Sequence, residues 1–159
     1  MTITLDGRWF YEGSPIGRAS LVQLFASVLK REGDDYFLVT PVEKVGITVE
    51  DTPFLITQWR QEPDKETGST VFILTTQTGD EIRLAHAEQM ALRIPPKAIQ
   101  DTDATPIPYV CVRRNLWARL HQNVYYQLLE KAHEENTTDA TRFVLTSADT
   151  QFVIGEVTV

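Results

Sequence analysis

The stretch YFLVTPVEKVGI at residues 36–47 is answered by RFVLTSADTQFVI at 142–154. Each is an apolar run, rich in branched and aromatic side chains, that breaks at a short polar tip and then resumes, the pattern of a β-hairpin. The correspondence extends upstream. Under a shift of 100 residues, Trp9-Phe10-Tyr11 falls on Tyr109-Val110-Cys111, and Leu24-Phe25 with Val28-Leu29 falls on Val124-Tyr125 with Leu128-Leu129. A further shift of six brings Phe37 and Thr40 onto Phe143 and Thr146. A chain built from two strand, helix, hairpin units is constrained to an α+β architecture: two β-rich halves, each with one main helix, related by internal duplication.

Local signals place the elements. Asp6-Gly7 marks a hairpin turn between the runs at Ile3 to Leu5 and Arg8 to Tyr11. Ser20 with Gln23 three residues on forms a capping box, and Leu21, Leu24, Phe25, Val28 and Leu29 share a helical face, which predicts a helix from Ser20 to Arg31. Residues 53–85 read as a meander reversed by EPDKETGS and TGD. Residues 86–108, with Pro95, Pro96, Pro106 and Pro108 around DTDAT, read as a linker, so the division is an N-terminal half at 1–85, the linker at 86–108 and a C-terminal half at 109–159. After the strand at Tyr109 to Val112, Asn115 reads as the N-cap of a helix from Leu116 to Ala132 with the stripe Leu116, Leu120, Val124 and Leu128.

Composition limits the partners. With 159 residues and 42% hydrophobic content the chain can bury a sizeable core. A net charge of -7 opposes binding of a nucleic-acid polymer or an anionic membrane, so any anion site has to be local. Cys111 is the one cysteine, so no intrachain disulfide forms, and MTITLDGRWF lacks the features of a signal peptide. The expectation is a soluble cytoplasmic protein. His86, His121, His133 and Cys111 do not space as metal ligands, and GSPIGR has the wrong glycine spacing for a nucleotide cradle, so no metal and no cofactor are expected.

GRWFYEGSPIGR, LVQLFASVLKRE and YFLVTPVEKVGITVED, in that order between about residues 7 and 55, resemble the uncharacterised bacterial domain-of-unknown-function family 1285. PYVCVRRNLWARLHQNVYYQLLE is similar to the family's later strand and helix, although the family often shows Gly where this chain has Asn115. The resemblance implies a duplicated α+β fold whose C-terminal half is pleckstrin-homology-like, a nucleotide-like ligand between the halves, and a role in signal transduction. It assigns no catalytic residue. The positions that match its motifs are Arg18, Thr40, Pro41, Glu43, Lys44 and Arg113.

The basic side chains stand out in an acidic protein. Arg113, Arg114 and Arg119 fall at a strand end and the first turn of the second helix, where free backbone N–H groups also attract anions. The alternative is that Arg113 and Arg114 pair with the acidic DTD of the linker. Arg18 occupies the matching corner before the first helix, so Arg18 and Arg113 are expected to face one cleft. Lys44 reads as an anion contact and Glu43 as the carboxylate that fixes Arg18. Thr40 is expected to be structural, with Pro41 forcing a break in the ladder. Trp9, Phe10, Tyr11 and Trp117 are candidates for stacking a base, Trp117 first among them, against the reading that aromatic strand residues belong to the core. The expected function is a non-enzymatic regulatory or sensor protein that binds a small anionic, nucleotide-like ligand between its halves. A protein-interaction adaptor is the alternative, receiving a peptide at the exposed meander edge or in the cleft, and an enzyme of unknown class is third.

Overall fold

A computed structural model of the chain describes residues 1–100 and 104–158. In its first part β1 (Thr2–Ile3), β2 (Trp9–Tyr11) and β3 (Ser14–Pro15) form a meander, α1 (Ala19–Ser27) follows, and β4 (Leu29–Glu32), β5 (Asp35–Val39) and β6 (Lys44–Val49) form a second meander. The sheet order is β3-β2-β1-β6-β5-β4, with β1 and β6 parallel at its centre and every other pair antiparallel. Gly7 makes the β1–β2 turn in the left-handed region (φ 79°), and a Cβ there would lie 3.2 Å from that of Leu55. This glycine is therefore required both by its turn and by close packing against the next part of the chain.

The second sheet repeats the first. β7 (Phe54–Pro63), β8 (Thr70–Thr76) and β9 (Glu81–Arg83) form one meander, and β10 (Met90–Arg93), β11 (Ile107–Arg113) and β12 (Leu116–Leu120) the other. Their order is β10-β11-β12-β7-β8-β9. Again the first strand of the first meander pairs parallel with the last strand of the second, Ala118 opposite Phe54 and Leu120 opposite Ile56. A single 3-10 turn at Ala87–Gln89 stands in the position that α1 holds in the first sheet. α2 (Gln122–Lys131) then leads into β13 (His133–Asn136), β14 (Ala140–Ser147) and β15 (Thr150–Thr158), which form a third sheet. Ser147 ties this sheet to the second: its buried hydroxyl donates to the Leu84 carbonyl at 2.7 Å and accepts the Phe72 amide at 2.8 Å.

The duplication therefore has two expressions. In sequence order, meander, helix, meander recurs around α1 and α2, and Phe37 opposite Gly46 on β5–β6 is matched by Phe143 opposite Gly155 on β14–β15. In hydrogen bonding, the repeat of β1–β6 is β7–β12. Thr40 and Thr146 are not equivalent, because Thr40 lies beyond β5 whereas Thr146 is inside β14 opposite Gln151. One hydrophobic core spans both sheets and both helices, with Ile3, Trp9 and Leu29 from the first part packed in the same cluster as Phe54, Leu74, Leu116 and Leu128.

Four sequence expectations need correction. The meander at 54–83 belongs to the second sheet, not to an N-terminal half ending at 85. The stretch 86–108 is not a linker throughout, since it contains β10, the edge strand of that sheet, and the start of β11, which pairs with it. α1 starts at an N-cap Arg18 without a side-chain cap, so Ser20 and Gln23 form no capping box, and it stops at Ser27 because Leu29 is pulled into the core as the first residue of β4. Its buried face runs through Val22, Phe25 and Ala26, while Leu24 is exposed. Finally, Leu116 to Leu120 is strand: Asn115 sits in the β11–β12 turn, and the α2 N-cap is His121, whose Nδ1 accepts the Asn123 amide at 3.1 Å. Leu116 and Leu120 are four apart, a spacing that both a helical stripe and one face of a strand satisfy.

Candidate functional site

The tertiary structure separates the two arginines expected to share a cleft. Arg18 is the N-cap of α1, whereas the Arg113 guanidinium donates to the Ala26 carbonyl in the last turn of that helix. The helix holds these positions about 12 Å apart along its axis, at about 1.5 Å per residue. Arg113 also faces Asp80 at 3.5 Å and lies 5.2 Å from the Phe54 ring centroid. A cation at a helix C-terminus, beside a carboxylate and over an aromatic face, needs no external anion. Arg113 is thus an interlock between the two sheets.

The other candidates disperse. Arg114, exposed at φ 51°, makes the β11–β12 turn, and its carbonyl accepts the Cys111 thiol at 3.1 Å. Burial raises the Cys111 pKa and keeps that thiol protonated. The acidic DTD proposed as a partner for Arg113 and Arg114 lies outside the described residues. Trp117 on β12 is covered by the Arg93 guanidinium, 4.5 Å from its ring centroid. Lys44 is held by both Glu32 oxygens, at 2.8 and 2.9 Å, and lies over Phe37, so its charge is already matched. Among the described residues no ion pair joins Glu43 to Arg18, and Glu43 instead closes the hairpin tip. There the Thr40 amide donates to the Glu43 carbonyl at 2.9 Å, and the Thr40 hydroxyl accepts the Glu43 amide at 3.3 Å. TPVEK is a turn. Thr40→Val is expected to cost about 1 kcal/mol in chemical denaturation, the usual worth of such bonds, and to leave anion binding unaltered in calorimetry.

Arg119 is the one arginine that is nearly inaccessible, 9% exposed. It donates to Asp51 at 3.0 Å and to the Leu5 carbonyl at 2.5 Å, and its backbone N–H reaches the Thr52 hydroxyl at 3.2 Å. The Tyr109 hydroxyl donates to the same Asp51 carboxylate at 3.0 Å. This group binds the connection between β6 and β7 to the second sheet.

A cavity of about 420 Å³ opens where the first part of the chain meets the β8–β9 turn. Arg8, Trp9, Gly17 and Ala19 line one side, and Gln77 and Thr78 the other. Ala19 is the first residue of α1, and with no side chain capping that turn, the Leu21 and Val22 amides both turn to the Arg18 carbonyl and leave those of Ala19 and Ser20 available. The Trp9 ring is 2% exposed and stacks on Phe25, yet its indole Nε1 has no hydrogen-bond partner among the described residues. The Gln77 amide is fully engaged, accepting the Leu55 amide at 2.8 Å and donating to Gly7 and Pro53 carbonyls, so it fixes the wall. Gln23 spans the cavity to the Thr78 carbonyl at 3.3 Å. The lining contains one arginine and no carboxylate.

Family models cover almost the whole chain: the N-terminal domain of the domain of unknown function DUF1285 matches residues 1–52, and the C-terminal domain of the DUF1285 protein of unknown function matches 53–154. The chain belongs to the DUF1285 family. The division between the two models falls between β6 and β7, where the sheets also divide. Two solved DUF1285 proteins are similar. One from Silicibacter pomeroyi DSS-3 is 36% identical with a TM-score of 0.78, over 99% of this chain and 80% of that one. One from Shewanella baltica OS155 is 31% identical with a TM-score of 0.62, over 81% of this chain and 89% of that one. No curated protein matches the chain.

Nothing in the sequence singles out Arg8, and Trp9 stands there among the aromatics expected either to stack a base or to join the core. Burial of Trp9 is correctly anticipated by its place in an aromatic strand, but an unpartnered donor depends on what the fold puts beside it. No helix among the described residues is long and apolar enough to cross a membrane. The meander edge offered to a peptide in the adaptor reading, β9, is three residues long and carries Glu81 paired with Arg60 and Arg83 paired with Asp64. Short, charged edges oppose strand addition.

Proposed function

We propose that this DUF1285 protein is a cytoplasmic, non-enzymatic regulatory protein that binds a small anionic, nucleotide-like ligand between its two sheets, in the cavity at the start of α1. The observation that carries the reading is the placement of Arg8 and the uncapped start of α1 in one lining that holds no carboxylate, in a molecule whose net charge is -7. A helix N-terminus with a guanidinium beside it favours an oxyanion by charge and by directed N–H groups. Arg18, the N-cap of the same helix, is exposed but does not line the cavity. A sensor role follows from the position, since an anion held by Arg8 and by α1 and walled by Gln77 couples the two sheets.

The test is a thermal-shift titration with inorganic phosphate and with nucleoside mono- and diphosphates, sodium chloride at equal ionic strength serving as the reference. Ligand at about 100 times its Kd stabilises the folded state by about 2.7 kcal/mol, which is a rise of about 5–11 °C for a chain of this size. A charge-assisted hydrogen bond contributes about 1.5–3 kcal/mol, so Arg8→Ala is expected to weaken binding about tenfold or more. The Tm of the ligand-free variant should stay within about 2 °C of the parent, because the exposed Arg8 side chain makes no ion pair or hydrogen bond among the described residues and lies over the Phe10 ring. Stabilisation equal to that by chloride would overturn the reading.

A further inference from the structure

A second cavity, of about 610 Å³, shares no lining residue with the one at α1. Its size is within the range of about 300–1,000 Å³ typical of small-molecule sites. Leu55, Leu120, Ile99 and Ile107 give it apolar walls. Tyr125 and Tyr126 add two stacked rings, with centroids 6.2 Å apart. The Tyr125 hydroxyl is turned away, donating to the Ile154 carbonyl at 2.9 Å, so this residue offers its ring.

The lining carries one guanidinium, Arg119, and one carboxylate, Asp6, and their partners differ. Arg119 is matched by Asp51 and the Leu5 carbonyl, and His121 Nδ1 accepts the Asn123 amide. Asp6 is left over: its partner is the Thr4 hydroxyl, and no ion pair reaches it among the described residues. One uncompensated carboxylate beside two aromatic faces and an apolar wall selects a cation with a hydrophobic body, by Coulomb attraction and by the negative ring faces. We propose that this cavity is a second ligand site, which takes a primary amine bearing an aromatic or branched apolar group, its ammonium at Asp6 and its apolar part against Leu120 and the Tyr125–Tyr126 pair. The acidic net charge favours arrival of such a cation, as it disfavours an anion.

Two probes with the same ring and opposite charge decide the matter, tryptamine and indole-3-acetate, each titrated into the full chain by calorimetry and by saturation-transfer NMR. Tryptamine is expected to bind at least tenfold more tightly. Asp6→Asn should reduce that preference to less than twofold, and Ile99→Trp, which fills the cavity, should abolish binding of both probes. Tyr126→Ala, at an exposed position, gives a second variant that keeps the fold, and should weaken tryptamine about fivefold. Equal affinity for the two probes, no binding of tryptamine at millimolar concentration, or tryptamine binding unaltered in Tyr126→Ala overturns the proposal.

Discussion

Asp51→Ala is expected to destabilise the protein by about 3–5 kcal/mol in urea denaturation, the cost of breaking a buried ion pair by removing one partner. The side chains of Asp51 and Arg119 are 13% and 11% exposed, and the carboxylate also accepts the Tyr109 hydroxyl. Its loss strands a guanidinium and a phenol at once, where water cannot easily replace the lost acceptor. Arg119→Met should cost less than Asp51→Ala, because Tyr109 remains to satisfy Asp51 and the methionine fills the apolar space. The same network predicts an alkaline limit. Burial, the Asp51 charge and the hydrogen bond to Asp51 all push the Tyr109 pKa above its ordinary value, which is near 10. The fold therefore favours the neutral phenol: this contribution to stability is complete below about pH 10, and is lost as pH rises through the folded value. Tyr36 and Tyr125 are shifted upward as well, chiefly by burial. Tyr109→Phe should accordingly flatten, without abolishing, the fall of ΔG between pH 10 and 12 measured in urea titrations. An Asp51→Ala variant as stable as the parent would show that the network is solvated.

Trp9→Ala is expected to cost about 3–5 kcal/mol, the range for removing a buried tryptophan. The ring is 2% exposed, stacks on Phe25 and belongs to the core shared by both sheets. Trp9→Phe separates packing from chemistry. It removes the indole N–H, which is unpartnered, while keeping most of the apolar surface, so two terms oppose: a small cavity destabilises, and the absence of an unsatisfied buried donor stabilises. Their sum should be about 1.5 kcal/mol or less, because the cavity is small and its cost is offset by removal of the unsatisfied donor. If the donor serves an anion at the start of α1, phosphate binding by calorimetry should nevertheless fall about tenfold. Unaltered phosphate affinity in Trp9→Phe, with Arg8→Ala still deficient, would remove Trp9 from the site and leave it to the core.

The class of fold and the repeat were legible in the chain because their signals are local. Asp6-Gly7, Thr40 to Glu43 and Ser147 to Thr150 reverse the backbone through their own hydrogen bonds and torsions, and Ala148 and Asp149 at φ 50° and 60° form the primed turn that suits a two-residue hairpin. Phe37 and Phe143 lie in strands that short runs of branched and aromatic residues identify, and each faces a glycine across its pair. Partners distant in sequence were not legible. Leu116 to Leu120 satisfies both periods, and it is a strand because β7 lies parallel beside it, some sixty residues earlier in the chain. Leu29 continues a helical stripe, but hydrogen bonding to Leu38 and burial in the core end α1 before it. Arg113 looked like a free cation because nothing near it in sequence shows that the end of α1 and Asp80 come to meet it. Binding chemistry depends on such meetings: a charge is available to a ligand when no carboxylate or carbonyl already holds it, and only the packed chain decides that for Arg8, Arg18, Lys44 and Arg113.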